Sequence, residues 1–288
     1  MIRALVALLL IPIPVQARGL PACPVLISHA GARALAPENT VPGINAARDV
    51  YDVGMVEGDI RYNKSNFAFL LHNDDVAPTT TGTGSITSLW LGQVQALSAA
   101  DYDVWPKSVY GGFKPDGSPK VRPPYSYDFL SAIRTKDLTF VADAKVTPTQ
   151  VQADSLMEYV NRPEFQLAGR IKWMANSPAG LTTMRAWYPA LDYWLLAING
   201  SVPAPGSLYT AEYVLGLGAT TVAYQADRVT PAVVAYYHAA GVKVNAWTTN
   251  TAAADSPAGW EAMRAADVDY LTTNRSDLVK DLWNGACA

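Results

Sequence analysis

TPAVVAYYHAAGVKVNAW, residues 230–247, contains one complete helix–strand unit, and its repetition decides the fold. Thr230 offers a side-chain oxygen to the free amides of a helix start, and Pro231 fits a first helical position, where no donor is needed. Ala232–Ala240 is a helical run that Gly241 terminates, because glycine takes the left-handed backbone favoured just past a helix end. Residues 242–247 (VKVNAW) then read as a strand.

Working outward, the same alternation fills the chain. Candidate strands are Val25–His29, Met55–Ile60, Leu138–Ala144, Ile171–Ala175, Tyr193–Ala197, Thr221–Tyr224, Val242–Trp247 and Tyr270–Thr273. Thr40-Val41-Pro42 repeats the helix-start chemistry after the first of them. Eight strands alternating with helices predict a parallel sheet closed into a (β/α)8 TIM barrel. Two segments depart from a bare barrel, both after the second strand. Phe67–His72 follows the turn-like Asn63-Lys64-Ser65-Asn66 and reads as a hairpin return. Asp103–Tyr125 is rich in Gly, Pro and aromatics without a helical period, and reads as an irregular insertion. Such a loop is a lid or decoration, and its length alone does not separate the two.

The chain has 288 residues, half of them hydrophobic, which is ample for one barrel core. With a net charge of −3 and no basic run, it carries no sign of nucleic-acid binding. Met1-Ile2-Arg3, the apolar stretch Ala4–Val15 and Val15-Gln16-Ala17 form the three parts of an export signal. Cleavage after Ala17 leaves residues 18–288 as a single secreted or extracytoplasmic domain. Leu20-Pro21-Ala22-Cys23 loosely resembles a lipoprotein box, but Arg18 separates it from the apolar run. The apolar run is too short to span a membrane in the mature chain. Cys23 and Cys287 lie where the two ends of a barrel domain meet at its bottom face. A Cys23–Cys287 disulfide would close nearly the whole chain and contribute about 3–5 kcal/mol in the chain-entropy picture.

Barrel enzymes draw their chemistry from the C-terminal ends of strands. His29 ends the first strand, Glu57-x-Asp59 the second and Asp143-x-Lys145 the third. Trp247 ends the seventh, and Asn274 follows the eighth; with Lys145 they are the substrate-binding candidates. Residues two apart in a strand share a face, so Glu57 pairs with Asp59, and Asp143 with Lys145. Three carboxylates in one mouth repel unless a cation lies between them, which makes Glu57, Asp59 and Asp143 the metal candidates. An all-oxygen ligand set selects one divalent ion, Mg²⁺ or Ca²⁺, over Zn²⁺. His29 and His72 are the acid–base candidates, since histidine exchanges protons near neutral pH. Lys145 would hold an anionic group, or simply pair with Asp143. Trp247 is a pocket wall or core. His238, inside the helical run before Gly241, reads as a surface or helix-end residue.

As an ordered set these motifs resemble the glycerophosphodiester phosphodiesterase family, within the PLC-like phosphodiesterase superfamily. That family opens with His-Arg-Gly, Pro-Glu-Asn-Thr, Glu-x-Asp, His-Asp, Arg-Thr-Thr and Gly-x-Gly. The chain has His29-Ala30-Gly31, Pro37-Glu38-Asn39-Thr40, Glu57-x-Asp59, His72-Asn73, Pro78-Thr79-Thr80 and Gly82-x-Gly84. Gly241–Val244 leading to Trp247-Thr248, and Asp269–Arg275, look like the family's closing strands. The resemblance implies a βα barrel with a small hairpin-bearing insertion. It also implies metal binding by Glu57 and Asp59 with Asp143 where Glu is common, an acid–base pair of His29 and His72, and phosphate binding by Lys145. The implied reaction releases an alcohol and gives glycerol 3-phosphate, with water as nucleophile or with the substrate's own neighbouring hydroxyl, which gives a cyclic phosphate. Ala30 and Pro78 replace two arginines of the pattern, and Asn73 replaces an aspartate.

Asp143-x-Lys145 and Thr273-Asn274 look more like the sphingomyelinase D branch, which implies phospholipase D-type action on sphingomyelin or lysophospholipids. Transient membrane-surface contact through Tyr110, Phe113 and Tyr125 belongs to that reading. The missing arginines motivate a third: a silent barrel that binds phospholipid or polyol phosphate without turnover.

Overall fold

The structure, a computed structural model, describes residues 23–99, 110–197, 209–249 and 251–284. In chain order the elements are β1 (Val25–Ser28), α1 (Val41–Asp49), β2 (Met55–Tyr62), β3 (Ala68–Leu70), α2 (Leu91–Gln95), α3 (Ser126–Thr135), β4 (Thr139–Ala144), α4 (Gln150–Val160) and β5 (Ile171–Ala175). They continue with α5 (Pro178–Trp187), β6 (Asp192–Ala197), α6 (Ala211–Gly216), β7 (Ala219–Gln225), α7 (Pro231–Ala239), β8 (Lys243–Trp247), α8 (Pro257–Ala265), β9 (Tyr270–Thr273) and α9 (Ser276–Trp283).

Eight strands pair in parallel in the order β1-β2-β4-β5-β6-β7-β8-β9, and β9 returns to β1 with Val25 opposite Tyr270. The sheet is therefore a closed (β/α)8 barrel, as the alternation of strands and helices predicts. β3 is the expected hairpin return, antiparallel to β2 with Leu70 opposite Ile60. Residues 110–125 of the insertion carry no helix or strand. The expected leader over 1–17, Cys287 and positions 103–109 lie outside the described residues.

Local chemistry sets the helix starts. Thr40, Ser177, Thr230 and Ser256 each cap a helix whose first turn contains a proline, and their side-chain oxygens accept from Gly43, Gly180, Val233 and Gly259 amides. Each such cap is worth about 0.5–2 kcal/mol. Gly241 ends α7 in the left-handed region at φ +77°. His238 in the last turn of α7 places Nε2 2.8 Å from Asp269 Oδ2, so it is a helix-end residue outside the barrel mouth.

Strand alternation divides the core into two layers. Val56, Ile60, Phe140 and Ala142 pack outward under the helices. Ile27, Met55, Val141, Met174, Trp194 and Tyr270 pack inside the barrel, where the Trp194 and Tyr270 rings lie 4.6 Å apart. Removing each such side chain from water stabilises the fold by roughly 1.5–3 kcal/mol. Gly58 lies between Glu57 and Asp59 because a β-carbon there would meet Phe140 at 3.0 Å. The apolar fill stops at Met55 on β2 and Val141 on β4. The next inward positions are carboxylates. A smaller core of Phe69, Leu71, Val76, Ile86 and Val94 supports the segment after β3.

Candidate active site at the barrel mouth

Asp59 and Asp143 face each other across the β2–β4 ladder, in register. With Glu57 they form a buried cluster whose ligand oxygens lie within 4.8 Å of one another. Lys145 reaches into it, with Nζ 2.8 Å from Asp59 Oδ1 and 2.5 Å from Asp143 Oδ2. Burial and the charges of Asp59 and Asp143 hold the Glu57 carboxyl well above the usual carboxylate range. Burial also pushes Asp143 up, against the pull of Lys145. Asp59 goes the other way: burial opposes its ionisation, but Lys145, His29 and His72 outweigh that. Burial alone would lower Lys145; the three carboxylates more than reverse it. Three carboxylates against one lysine leave an excess of negative charge, and hard oxygen donors in that arrangement suit a divalent cation.

The backbone around His29 is shaped for this cluster. Ala30 and Gly31 adopt φ of +48° and +80°, and the Ala30 N–H donates to Glu57 Oε2 at 2.9 Å. A side chain at Gly31 is excluded, since its β-carbon would meet the Gly43 carbonyl carbon at 2.8 Å. His29 Nδ1 lies 2.8 Å from Asn274 Oδ1. The carboxamide oxygen is an acceptor, so Nδ1 carries the hydrogen and Nε2 keeps its lone pair. Nε2 is 3.8 Å from Glu57 Oε2. Burial lowers the His29 pKa, and Asp59 and the Asn274 bond only partly oppose this.

His72 lies just beyond β3, where the Leu71 N–H donates to the Asp59 carbonyl at 2.9 Å. Arg61 Nε donates to the His72 carbonyl at 2.8 Å and fixes its backbone. His29, His72, Glu57, Asp143, Lys145 and Trp247 all line one cavity of about 530 Å³. Asn274, expected to bind substrate, is not among the residues that line it and contacts His29 instead. Trp247, Met174 and Leu196 form its apolar wall, with Met174 paired beside Asp143 across the β4–β5 ladder.

Several residues in this arrangement received no role from the sequence. Asn39 clasps Asp59, although the Pro37–Thr40 motif that contains it was a visible signal. Arg33 and Glu38 line the cavity and pair at 2.9 Å. Asp255, in the loop after β8, accepts from Thr248 Oγ1 at 2.7 Å, Trp260 Nε1 at 3.0 Å, the Thr273 hydroxyl, and the Asn274 N–H at 3.2 Å. It fastens the end of β8 to the residue that holds His29. Nothing in its local sequence marks it out.

Comparison with known proteins agrees with this architecture. The profile of the glycerophosphoryl diester phosphodiesterase family matches residues 29–278. The chain spans about a third of the length of the first curated relatives it matches. One of them, a Bacillus subtilis protein named as a glycerophosphodiester phosphodiesterase, is 32% identical over 77 residues, 27% of this chain and 31% of that protein. Glycerophosphodiester phosphodiesterase 1 of Homo sapiens is 23% identical over 247 residues, 78% of this chain and 71% of that protein. An Oleispira antarctica phosphodiesterase, solved with its product sn-glycerol-3-phosphate, shares the fold with a TM-score of 0.74 at 18% identity, over 91% of this chain and 97% of that one.

Proposed function

The chain belongs to the glycerophosphoryl diester phosphodiesterase family, and from that premise we propose that it hydrolyses glycerophosphodiesters to an alcohol and glycerol 3-phosphate at the barrel mouth. The observation that carries this reading is the buried cluster of Glu57, Asp59 and Asp143, of which Glu57 and Asp143 line the same cavity as His29 and His72.

Glu57, Asp59 and Asp143 would hold one divalent ion, Mg²⁺ or Ca²⁺. When bound, the ion neutralises charge on the phosphoryl oxygens. The chain's own residues carry the proton transfers. His29, neutral with its Nε2 lone pair free, takes the proton from the nucleophile: a water, which gives glycerol 3-phosphate directly, or the neighbouring hydroxyl of the substrate's glycerol, which gives a cyclic phosphate that a water then opens to glycerol 3-phosphate. Its burial keeps it unprotonated near neutral pH. His72, on the exposed rim, gives a proton to the departing alcohol oxygen. Each transfer is worth about 10²–10⁴ in rate. Lys145 bridges Asp59 and Asp143 and presents its positive charge to the cavity. A panel of glycerophosphodiesters assayed with Mg²⁺, Ca²⁺ or chelator tests the reading. Turnover that survives thorough chelation removes the metal, and turnover at wild-type rate in both His29→Ala and His72→Ala removes the histidine pair.

The apolar wall of Met174, Leu196 and Trp247 favours a second reading, phospholipase D-type action on sphingomyelin or lysophospholipids. Faster turnover of lysophosphatidylcholine than of glycerophosphocholine would select it, and phosphate-ester binding without turnover of any diester would select a silent barrel. We further infer that the chain is exported after cleavage at Ala17 and closed by a Cys23–Cys287 disulfide. N-terminal sequencing of secreted protein and mass spectrometry with and without reductant test those two steps. Among the described residues no helix is long and apolar enough to cross a membrane. Contact with a membrane surface through Tyr110, Phe113 and Tyr125 is part of the second reading, and Phe113 is 49% exposed.

A further inference from the structure

The cavity must hold an anion, yet its deepest cation is already engaged. Lys145 lies between Asp59 and Asp143 at 2.8 and 2.5 Å. Ala30 offers only a buried methyl group, and its N–H is given to Glu57. Pro78 lines the cavity without charge or donor. Among the described lining residues, Arg33 is the other side chain with a permanent positive charge.

Arg33 is also held in place. It sits in a single tight turn after β1, where the Leu35 and Ala36 amides donate to the Ala32 carbonyl at 2.8 and 3.0 Å. Its Nε meets Glu38 Oε2 at 2.9 Å. Glu38 is mostly buried, so it orients the guanidinium without leaving the wall. The two terminal nitrogens of Arg33 make no hydrogen bond among the described residues, and its side chain is 47% exposed. A planar fork fixed at Nε and open at both ends matches two oxygens of a phosphoryl group.

We propose that Arg33, oriented by Glu38, binds the phosphate oxygens of substrate and product at the rim of the cavity that Lys145 also lines. The proposal rests on the phosphodiesterase reading above and names a phosphate-binding residue for it. In this chain the guanidinium arrives three residues after Ala30, from the turn instead of from the strand end.

Calorimetric titration of the metal-loaded protein with glycerol 3-phosphate and with inorganic phosphate tests this, alongside KM and kcat on glycerophosphocholine. Arg33→Ala is expected to weaken glycerol 3-phosphate binding and raise KM by about tenfold to a hundredfold, the usual worth of charge-assisted hydrogen bonds. kcat should fall much less, and Arg33→Lys should recover part of the binding. If Arg33→Ala melts lower than wild type, Arg33→Gln, which keeps a donor for Glu38, carries the test. Wild-type affinity in the neutral variants overturns the assignment and leaves the phosphodiesterase reading intact. Phosphate-ester binding that depends on Arg33, without turnover of any diester, keeps the assignment and removes the catalytic reading. A wild type that binds no phosphate ester overturns both.

Discussion

Asn39 and Asp59 hold each other twice: Asn39 Nδ2 donates to Asp59 Oδ2 at 2.6 Å, and the Asp59 N–H donates to Asn39 Oδ1 at 2.9 Å. Both residues are buried, and Asn39 reaches this position at φ +57°, a conformation asparagine tolerates better than most residues. The clasp locks one carboxylate oxygen of Asp59 and leaves the other to Lys145. Asn39→Ala strands a buried amide and a buried carboxylate oxygen, at a cost of about 1–3 kcal/mol each. Asn39→Gly removes the same bonds without adding backbone strain. Both variants should lower the melting temperature and the affinity for Mg²⁺ or Ca²⁺, measured by thermal shift and calorimetry. Wild-type metal affinity in Asn39→Gly would show that the clasp has no bearing on the acidic cluster.

Asn274 should govern the proton state of His29. Asn274→Ala frees Nδ1 and lets the ring change tautomer, so kcat should fall about 10–100-fold with little change in KM, the usual scale for a residue behind a functional one. Asn274→Asp keeps an acceptor oxygen but adds a negative charge, which favours imidazolium. Burial lowers the His29 pKa, so the acid limb of the wild-type kcat/KM profile should lie below the ordinary histidine value of 6.5. In Asn274→Asp that limb should move to higher pH. An unmoved limb would mean that His29 is not the titrating base.

The barrel was legible in the sequence because its strands are short and mostly apolar and alternate with helical runs, two of them opened by clear helix starts at Thr40-Val41-Pro42 and Thr230-Pro231. The site was legible where chemistry lies within one strand: Glu57-x-Asp59 and Asp143-x-Lys145 each share a face through the two-residue period of a strand. What stayed hidden depends on tertiary meeting points. Asp255 is an ordinary acidic residue in a loop until β8 and β9 bring Thr248, Trp260 and Asn274 to it. Asn39 is visible as part of Pro37–Thr40, but its partner is 20 residues away on another element. Arg33 carried no signal in the sequence, because the turn that brings it to the cavity depends on the positive φ of Ala30 and Gly31.

Metal removal should destabilise the fold as well as stop turnover. The cluster of Glu57, Asp59 and Asp143 concentrates negative charge that Lys145 alone does not balance. A ligand present at a hundredfold over its dissociation constant adds about 2.7 kcal/mol to stability. Chelation should therefore lower the melting temperature, and added Mg²⁺ or Ca²⁺ should restore it. Asp143→Asn, which lowers the charge of the cluster, should shrink that metal-dependent shift. Equal shifts in the variant and wild type would place the stabilising ion elsewhere.

High pH should unfold the barrel through its buried tyrosines. Burial pushes Tyr51 up to about 12, and it also raises Tyr62, Tyr193 and Tyr237. The Tyr62 hydroxyl has no hydrogen-bond partner within the core, and the Tyr237 hydroxyl is shared between Tyr224 and the Tyr209 carbonyl. Their folded pKa values lie above the unfolded value of 10.0. The folded state therefore retains these protons longer than the unfolded chain does. The associated stability is fully present below pH 10 and is lost as pH rises through the folded values. Each such tyrosine removes about 1.4 kcal/mol per pH unit in that window. The melting temperature should fall steeply between about pH 10 and 12, and absorbance at the tyrosinate band should rise in two stages, exposed groups first and buried ones together with unfolding. Tyr62→Phe, which removes one such proton and no hydrogen bond, should flatten the fall, and a slope unchanged in that variant would assign the alkaline transition to other groups.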